Sequence, residues 1–444
     1  MTTPIADFVK KYADSDTSRF HMPGHKGNSL LGCESLDITE IDGADVLYSA
    51  CGIIEQSENN ASMLFGTKHS FYSTEGSSLC IKAMLALIKR RTPRGRRTTV
   101  LAVRNVHKAF IYACALLDID AEWIYPSTFT HLCKCTITSE ELNAVLAQCE
   151  TLPDAVYLTS PDYLGNIADV AKIARVCKKY SVPLLVDNAH GAYLAFTQPS
   201  MHPIALGAHM CCDSAHKTFT VLTGGAYLHI SKDFDVEQDE VRSSLALFAS
   251  TSPSYLILQS LDLCNAYLCD SYKEKLADCI SRLESIKASL SARGITPDDS
   301  EPLKLVLTRS RCGYSGNELA LLLREHNIEP EFADRDAVVL MATPSLTRRD
   351  FDRLESALSS LVPKIPTTDT PPAPDYAQRA TSIREAIFSQ SEMIPTEKAE
   401  GRICASPTVS CPPAVPVVMS GEVITKREIE LMLHYGIDEI NVIK

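Results

Sequence analysis

The 444-residue sequence predicts an α/β protein with a mostly parallel sheet covered by helices on both faces, and three observations carry that expectation. Short apolar runs alternate with one-face-apolar helical stretches between Gly76 and Ile230, the pattern of a parallel sheet. Hydrophobic residues make up 45% and charged residues 22%, ordinary values for a globular chain too long for a single core. The polar segments Arg104-to-His107, Ser160-to-Gly165 and Asp187-to-His190 each follow an apolar run. They therefore gather beyond the carboxyl ends of strands, where such sheets bind ligands.

Taken in order, Ile5, Phe8, Val9 and Tyr12 fall at i, i+3, i+4, i+7, an amphipathic helix that must dock on something. Arg19-Phe20-His21-Met22-Pro23-Gly24-His25-Lys26-Gly27 opens a polar loop region. A helix follows from Gly76, with Ser77 and Ser78 at its start, either an anion site at the positive end of the dipole or plain N-capping. Val100 to Val103 is a strand leading to His107, which either stacks on a ring or caps the next helix. The capping box Thr138-Ser139-Glu140-Glu141 starts a helix through Leu142, Val145, Leu146 and Cys149. Ala155 to Thr159 is a strand, Val170, Ile173, Ala174 and Cys177 share one helix face, and Val182 to Val186 and Ala226 to Ile230 are buried strands. Thr251 to Tyr255 is a turn before a long helical region reaching about Arg293. An α+β unit comes next: strand Leu303 to Leu307, Ser315-x-x-Glu318 capping a helix from Leu319 to His326, strand Ala337 to Ala342, and Thr347-x-x-Asp350 opening another helix. Thr367 to Pro374 reads as a stiff extended linker, and the tail holds a proline-rich loop at Cys411-Pro412-Pro413-Ala414-Val415-Pro416 and a capped helix near Thr425.

Several classes are set aside. No run approaches the roughly 18 apolar residues of a membrane span. The first sixteen residues lack the basic and apolar regions of a secretion signal. The sixteen cysteines are scattered, mostly inside apolar runs, and Cys133-Lys134-Cys135 and Cys211-Cys212 lack paired C-x-x-C spacing, so no metal is expected. Many free thiols point to a reducing cytoplasm. The formal charge of −12 argues against nucleic acid and suits a cationic substrate.

The chemistry lies in Asp187-Asn188-Ala189-His190-Gly191 and Ser214-Ala215-His216-Lys217-Thr218, the latter followed by Thr223-Gly224-Gly225. An acid at a strand tip and a lysine among hydroxyl and imidazole groups are what pyridoxal phosphate requires. The lysine holds the aldehyde covalently, and the acid keeps the pyridine nitrogen protonated. Each half alone also fits a surface lysine or a turn aspartate.

Together the motifs resemble the ornithine/lysine/arginine decarboxylases, in the shorter form without a wing domain. The match runs from Phe20-to-Gly27 through Asp37-to-Glu40, Gly76-Ser77-Ser78 and Arg104-to-Lys108 to Asp187-x-Ala189-His190-Gly191 and Ser214-x-His216-Lys217. It continues through Thr251-to-Tyr255, Glu301-Pro302-x-Lys304, Glu331-Phe332-Ala333-Asp334 and Gly401-Arg402-Ile403 to Ser420-Gly421-Glu422. The resemblance implies fold type I, the aspartate-aminotransferase-like scaffold: an N-terminal arm and active-site loop over 1–66, a cofactor-binding large domain over 67–292, a small α+β domain over 293–366, a linker over 367–375 and a C-terminal domain over 376–444. It implies that Lys217 carries the cofactor, Asp187 pairs with the pyridinium nitrogen and His107 stacks on the ring. Ser77, Ser78, Ser214 and His216 hold the phosphate, while Ala189 and His190 lie against the ring face or near the substrate. His25, Glu331, Asp334 and Glu422 are candidates for substrate contact, the last three for the distal cation. The implied activity is α-decarboxylation of arginine, lysine or ornithine to an amine that feeds polyamine metabolism, by a cytoplasmic homodimer or dimer-based oligomer.

Three positions depart from the pattern. Ala109 replaces a serine, and Cys411-to-Pro416 replaces an aromatic-Pro-Pro-Gly-aliphatic-Pro loop that lies near the substrate in relatives, which bears on substrate and activity. Asn188 replaces a common glutamate, with little expected effect because neighbours on a strand face opposite ways. The alternatives are an aminotransferase on the same scaffold and a catalytically silent relative. Against the first, the Ala337-to-Ala342 strand has no arginine to bind an α-carboxylate, Arg348 and Arg349 coming only later. Against the second, Lys217, Asp187 and His107 are intact.

Overall fold

The computed structural model describes residues 1–367, 369–376, 378–407 and 413–444. Its strands are β1 His69–Ser73, β2 Thr98–Val103, β3 Ile119–Ile124, β4 Ala155–Thr159, β5 Leu184–Asp187, β6 Met210–Asp213, β7 Ala226–Ile230, β8 Lys304–Thr308, β9 Phe332–Ala333, β10 Ala337–Met341, β11 Ser391–Pro395 and β12 Glu439–Ile443. They belong to two compact units, one made of Met1–Arg91 with Val170–Lys275, the other of Thr92–Asp169 with Leu276–Lys444.

In the first unit the strand order is β1-β7-β6-β5. β5 and β6 run parallel, with Asp187 opposite Cys212, and β7 is antiparallel to both β6 and β1. Every residue of β5, β6 and β7 is buried, so these strands read as unbroken apolar runs. β5 starts two residues later than the apolar run at Val182. Ser181 takes a left-handed φ of 57°, Val182 N bonds back to Cys177 O at 3.0 Å, and Pro183 has no N–H to give a ladder. The helix Val170–Lys179 buries Val170, Ile173, Ala174 and Cys177, the four positions its spacing places on one face.

The helix Pro4–Ala13 buries Ile5 and Val9 and packs on the helices Ile53–Phe65 and Tyr255–Asp270. Its first free amides, Ile5 N and Ala6 N, donate to Asp262 Oδ2 at 2.9 and 3.0 Å, and Ser57 Oγ donates to Oδ1. Burial pushes the Asp262 carboxyl up to about 6. An acid whose folded pKa exceeds the unfolded value of about 3.9 favours folding most when protonated. Stability is therefore expected to fall as pH rises from about 4 to about 6 and to level off above that. Asp262→Asn should flatten that part of the profile, read as urea midpoints between pH 4 and 7; an unchanged slope would sink the assignment.

The long helical region breaks at Ser271 into Tyr255–Asp270 and Tyr272–Ala292. In the second unit β4, β2 and β3 are parallel neighbours, and Phe110 of the helix Lys108–Leu117 packs on Tyr157 of β4 with centroids 4.5 Å apart. An antiparallel sheet β8-β10-β9 carries the helices Gly316–Glu325 and Arg348–Ser359, each opened by a complete capping box. β11 and β12 pair antiparallel beside the capped helix Lys426–His434, over a core that includes Val417, Leu431, Ile440 and Val442. In the proline-rich loop, Cys411 and Pro412 lie outside the described residues, as does Thr368 of the linker. Ala414 takes a left-handed φ of 59°, where the related loop has glycine. Among the described residues no helix is long and apolar enough to cross a membrane.

Candidate active site

Two parallel strands of the first unit deliver the acid and the lysine. β5 ends on Asp187, which is 3% exposed; its Oδ1 accepts from Ala189 N at 3.2 Å and lies 3.6 Å from Cys212 Sγ. β6 ends on Asp213, and the next residues turn into the short helix Ala215–Thr218 that carries His216 and Lys217. Because β5 and β6 are parallel, both polar turns leave the sheet at the same end. His190, buried beyond β5, meets Lys217 there: Nε2 and Nζ are 3.0 Å apart.

A hydroxyl cradle lies beside the lysine. Ser214 Oγ donates to Ser77 Oγ at 2.8 Å, joining the turn after β6 to the first residues of the helix Gly76–Arg91. Gly224 makes this approach possible: its φ is +99°, and a Cβ there would stand 2.8 Å from Thr74 O. Gly76 N bonds Gly224 O at 2.7 Å. His216 gives Nδ1 to Gly225 O at 3.0 Å, and burial lowers its pKa, so the ring is neutral at pH 7. Ser77 and Ser78 are half-buried at the positive end of a sixteen-residue helix.

The remaining candidates are placed as follows. His25 sits in the loop of the first unit, Nε2 3.2 Å from Asp37 Oδ2 and Nδ1 accepting from Gly27 N. In the second unit His107 is the N-cap of the helix Lys108–Leu117, its Nδ1 accepting from Ala109 N at 3.1 Å, a bond at the ring edge that is compatible with stacking by the ring faces. Asp334 accepts from two backbone amides and pairs with His131 Nε2 at 3.1 Å; burial raises its pKa but His131 and these bonds outweigh it. Glu422 is 3% exposed and bound to Arg104 Nη2 at 2.7 Å. Glu331 is exposed and accepts from Tyr163 OH at 2.6 Å. The sequence reading overlooked β6 as a strand, and with it Asp213, which joins Asn188, His202 and His229. Its one signal was the short apolar run Met210-Cys211-Cys212 ending on an acid.

A buried acid at one strand tip, a lysine at the next and a hydroxyl-lined helix start fit a pyridoxal phosphate site of fold type I. The comparisons narrow the class. Residues 3–306 match the family model described as Orn/Lys/Arg decarboxylase, major domain, and residues 368–435 match its C-terminal domain. The chain is 30% identical to the uncharacterized protein YaaO of Bacillus subtilis over 97% of this chain and 93% of that protein. It is 29% identical to an arginine decarboxylase of Bacillus subtilis over 96% and 92% of the two chains. Among solved structures, the Francisella novicida lysine decarboxylase LdcF superposes with a TM-score of 0.81 at 16% identity, over 100% of this chain and 81% of that one, a likeness of fold. The chain belongs to the Orn/Lys/Arg decarboxylase family. It is a pyridoxal-phosphate-dependent lyase that decarboxylates a basic amino acid.

Proposed function

We propose that the substrate is arginine, with lysine and ornithine as the competing choices, and that the amine product feeds polyamine synthesis. Support for arginine comes from relatives in three Bacillus species and in Halalkalibacterium halodurans that carry the name arginine decarboxylase, at 26–29% identity over at least 92% of their length. One observation carries the mechanism: the Lys217 amine lies 3.0 Å from His190 Nε2, on the turns that also present Asp187.

Pyridoxal phosphate, when bound, supplies an electron sink for the pair left as carbon dioxide departs. Lys217 would hold the cofactor through its amine. His190 is placed to take or return a proton at Lys217 Nζ, and one of His190, Lys217 or water protonates Cα. Asp187, buried at the tip of β5, would face the pyridine nitrogen and keep its proton in place through a charge-assisted hydrogen bond. Ser77, Ser78, Ser214 and His216 would hold the cofactor's phosphate, Ala189 would line the ring, and His107 would stack on it. For the distal cation, Glu331 stands ahead of Asp334 and Glu422, whose charges already face His131 and Arg104; His25 serves substrate entry.

The division into an arm over 1–66, a cofactor domain over 67–292, a small domain over 293–366, a linker over 367–375 and a C-terminal domain over 376–444 belongs to the same proposal, as does a cytoplasmic homodimer. Free thiols at all fifteen described cysteines support the reducing compartment. Phe20, Leu30 and Leu31, at 97, 92 and 88% exposed, support the dimer. The test is an assay of arginine, lysine and ornithine with product identification and trapped carbon dioxide. Agmatine with stoichiometric carbon dioxide is expected from arginine; a 2-oxo acid without gas would establish transamination instead, and cadaverine or putrescine would move the substrate.

A further inference from the structure

We infer that Asp213, on the sheet face opposite Asp187, fixes the position of Asp187 by holding Asn188. The inference rests on the reading of Asp187 as the partner of the pyridine nitrogen. Asp187 and Cys212 are cross-strand partners whose side chains meet on one face, while Asn188 and Asp213 meet on the other. Asn188 has already left β5, yet it is tied to β6 twice: its backbone N donates to Cys212 O at 3.0 Å and its Nδ2 donates to Asp213 Oδ1 at 2.7 Å. The peptide joining Asp187 to Asn188 cannot rotate without breaking one of these bonds, and the Asp187 carboxylate turns with that peptide.

Asp213 is itself anchored. It is 0% exposed, His202 Nε2 lies 3.0 Å and His229 Nε2 3.3 Å from Oδ2, and His229 Nδ1 is 2.8 Å from Ser70 Oγ. The anchor therefore spans β6, β7 and β1 together with the segment before β6. Burial pushes the Asp213 carboxyl up, but the two imidazoles outweigh it and hold it well below the usual carboxylate range. A buried carboxylate with its polar partners is a poor stabiliser compared with hydrophobic side chains of the same volume. What this one supplies is a fixed acceptor for the Asn188 amide. His202, Cys211 and Asp213 also offer ligand atoms within 4.8 Å of one another, a group that could hold a metal ion. The 3.0 Å separation of His202 Nε2 from Asp213 Oδ2 matches a hydrogen bond and requires no ion.

The experiment uses the purified holoenzyme of four variants: Asn188→Asp, Asp213→Asn, the double exchange, and Asp187→Asn as a control. Asn188→Asp sets two carboxylates against each other at a contact now 2.7 Å long. It is expected to shift the visible absorption of the bound cofactor and lower kcat about tenfold to 100-fold with KM little changed, the range of coupling between groups in direct contact. The double exchange, which restores one amide facing one carboxylate, should recover most of that loss. Wild-type spectra and kcat in both single variants, or a double variant no better than the product of the singles, would overturn the inference while an inactive Asp187→Asn still upheld the parent reading. Full activity in Asp187→Asn would sink the parent reading itself. Should Asn188→Asp not fold, Asn188→Ser deletes the amide donor without adding charge, and a wild-type spectrum there overturns the inference equally. One equivalent of transition metal in the wild-type enzyme, lost in Asp213→Asn, would also overturn it.

Discussion

Lys217→Ala is expected to lower decarboxylation by about 10³-fold or more and to remove the visible band of covalently held cofactor. The amine has two duties in one place. In the proposed mechanism it is the nucleophile that holds the aldehyde and the group that exchanges protons with His190 Nε2, 3.0 Å away. Deleting it ends the covalent duty outright and leaves His190 facing a gap. The cofactor's phosphate should still find the Ser77 and Ser214 hydroxyls, so the variant is expected to bind the cofactor reversibly and lose it on gel filtration. A small primary amine added to the assay should return part of the turnover. Retention of the band through gel filtration, or turnover above about a tenth of wild type, would contradict the role, since loss of proton transfer alone typically costs 10²-fold or more.

Arg104→Met should destabilise the protein by about 3–5 kcal/mol, because it strands the Glu422 carboxylate in the interior. Glu422 is 3% exposed, receives Arg104 Nη2 at 2.7 Å and Met419 N at 2.8 Å, and has its pKa raised by burial even with the guanidinium beside it. Arg104 also lies over Trp123 at 5.2 Å and donates to Val417 O, so the arginine joins the end of β2 to the chain around β12. The double variant Arg104→Met/Glu422→Leu should regain nearly all of that loss, as apolar replacements of complete buried pairs do. Urea unfolding of the two variants checks this. Equal stability of Arg104→Met and wild type would show that Glu422 is protonated or solvated, and would return it to the candidates for the substrate's distal cation.

Periodic elements were legible in the sequence because period is a local property. The face Val170, Ile173, Ala174 and Cys177, and the boxes at Thr138, Ser315, Thr347 and Thr425, all stand where spacing put them. β1, β3 and β6 were not legible. β1 mixes His and Ser with aromatic residues, β3 carries Asp and Glu, and β6 is four residues with two cysteines, so none offers a clean alternation. The candidate site was legible where residues stand in adjacent letters, Ser214-Ala215-His216-Lys217 and Asp187 through His190, two turns that the structure brings to one end of the sheet. The Asn188–Asp213 bond joins positions 25 apart through strand register, which no motif records. Helix capping by His107 and the engagement of Asp334 by His131 likewise follow from packing.

Each unit is assembled from two separated lengths of chain, which the polypeptide enters and leaves after Arg91, Asp169 and Lys275. β1 must wait on the ribosome for β7, since His69 pairs with Ile230, and such distant closures slow folding. No single cut of the gene yields either body by itself. A shortened clone ending anywhere before Lys275 would leave β1 with an open edge or the lysine-bearing turn unsupported, and aggregation rather than a soluble half-enzyme is the foreseeable harvest.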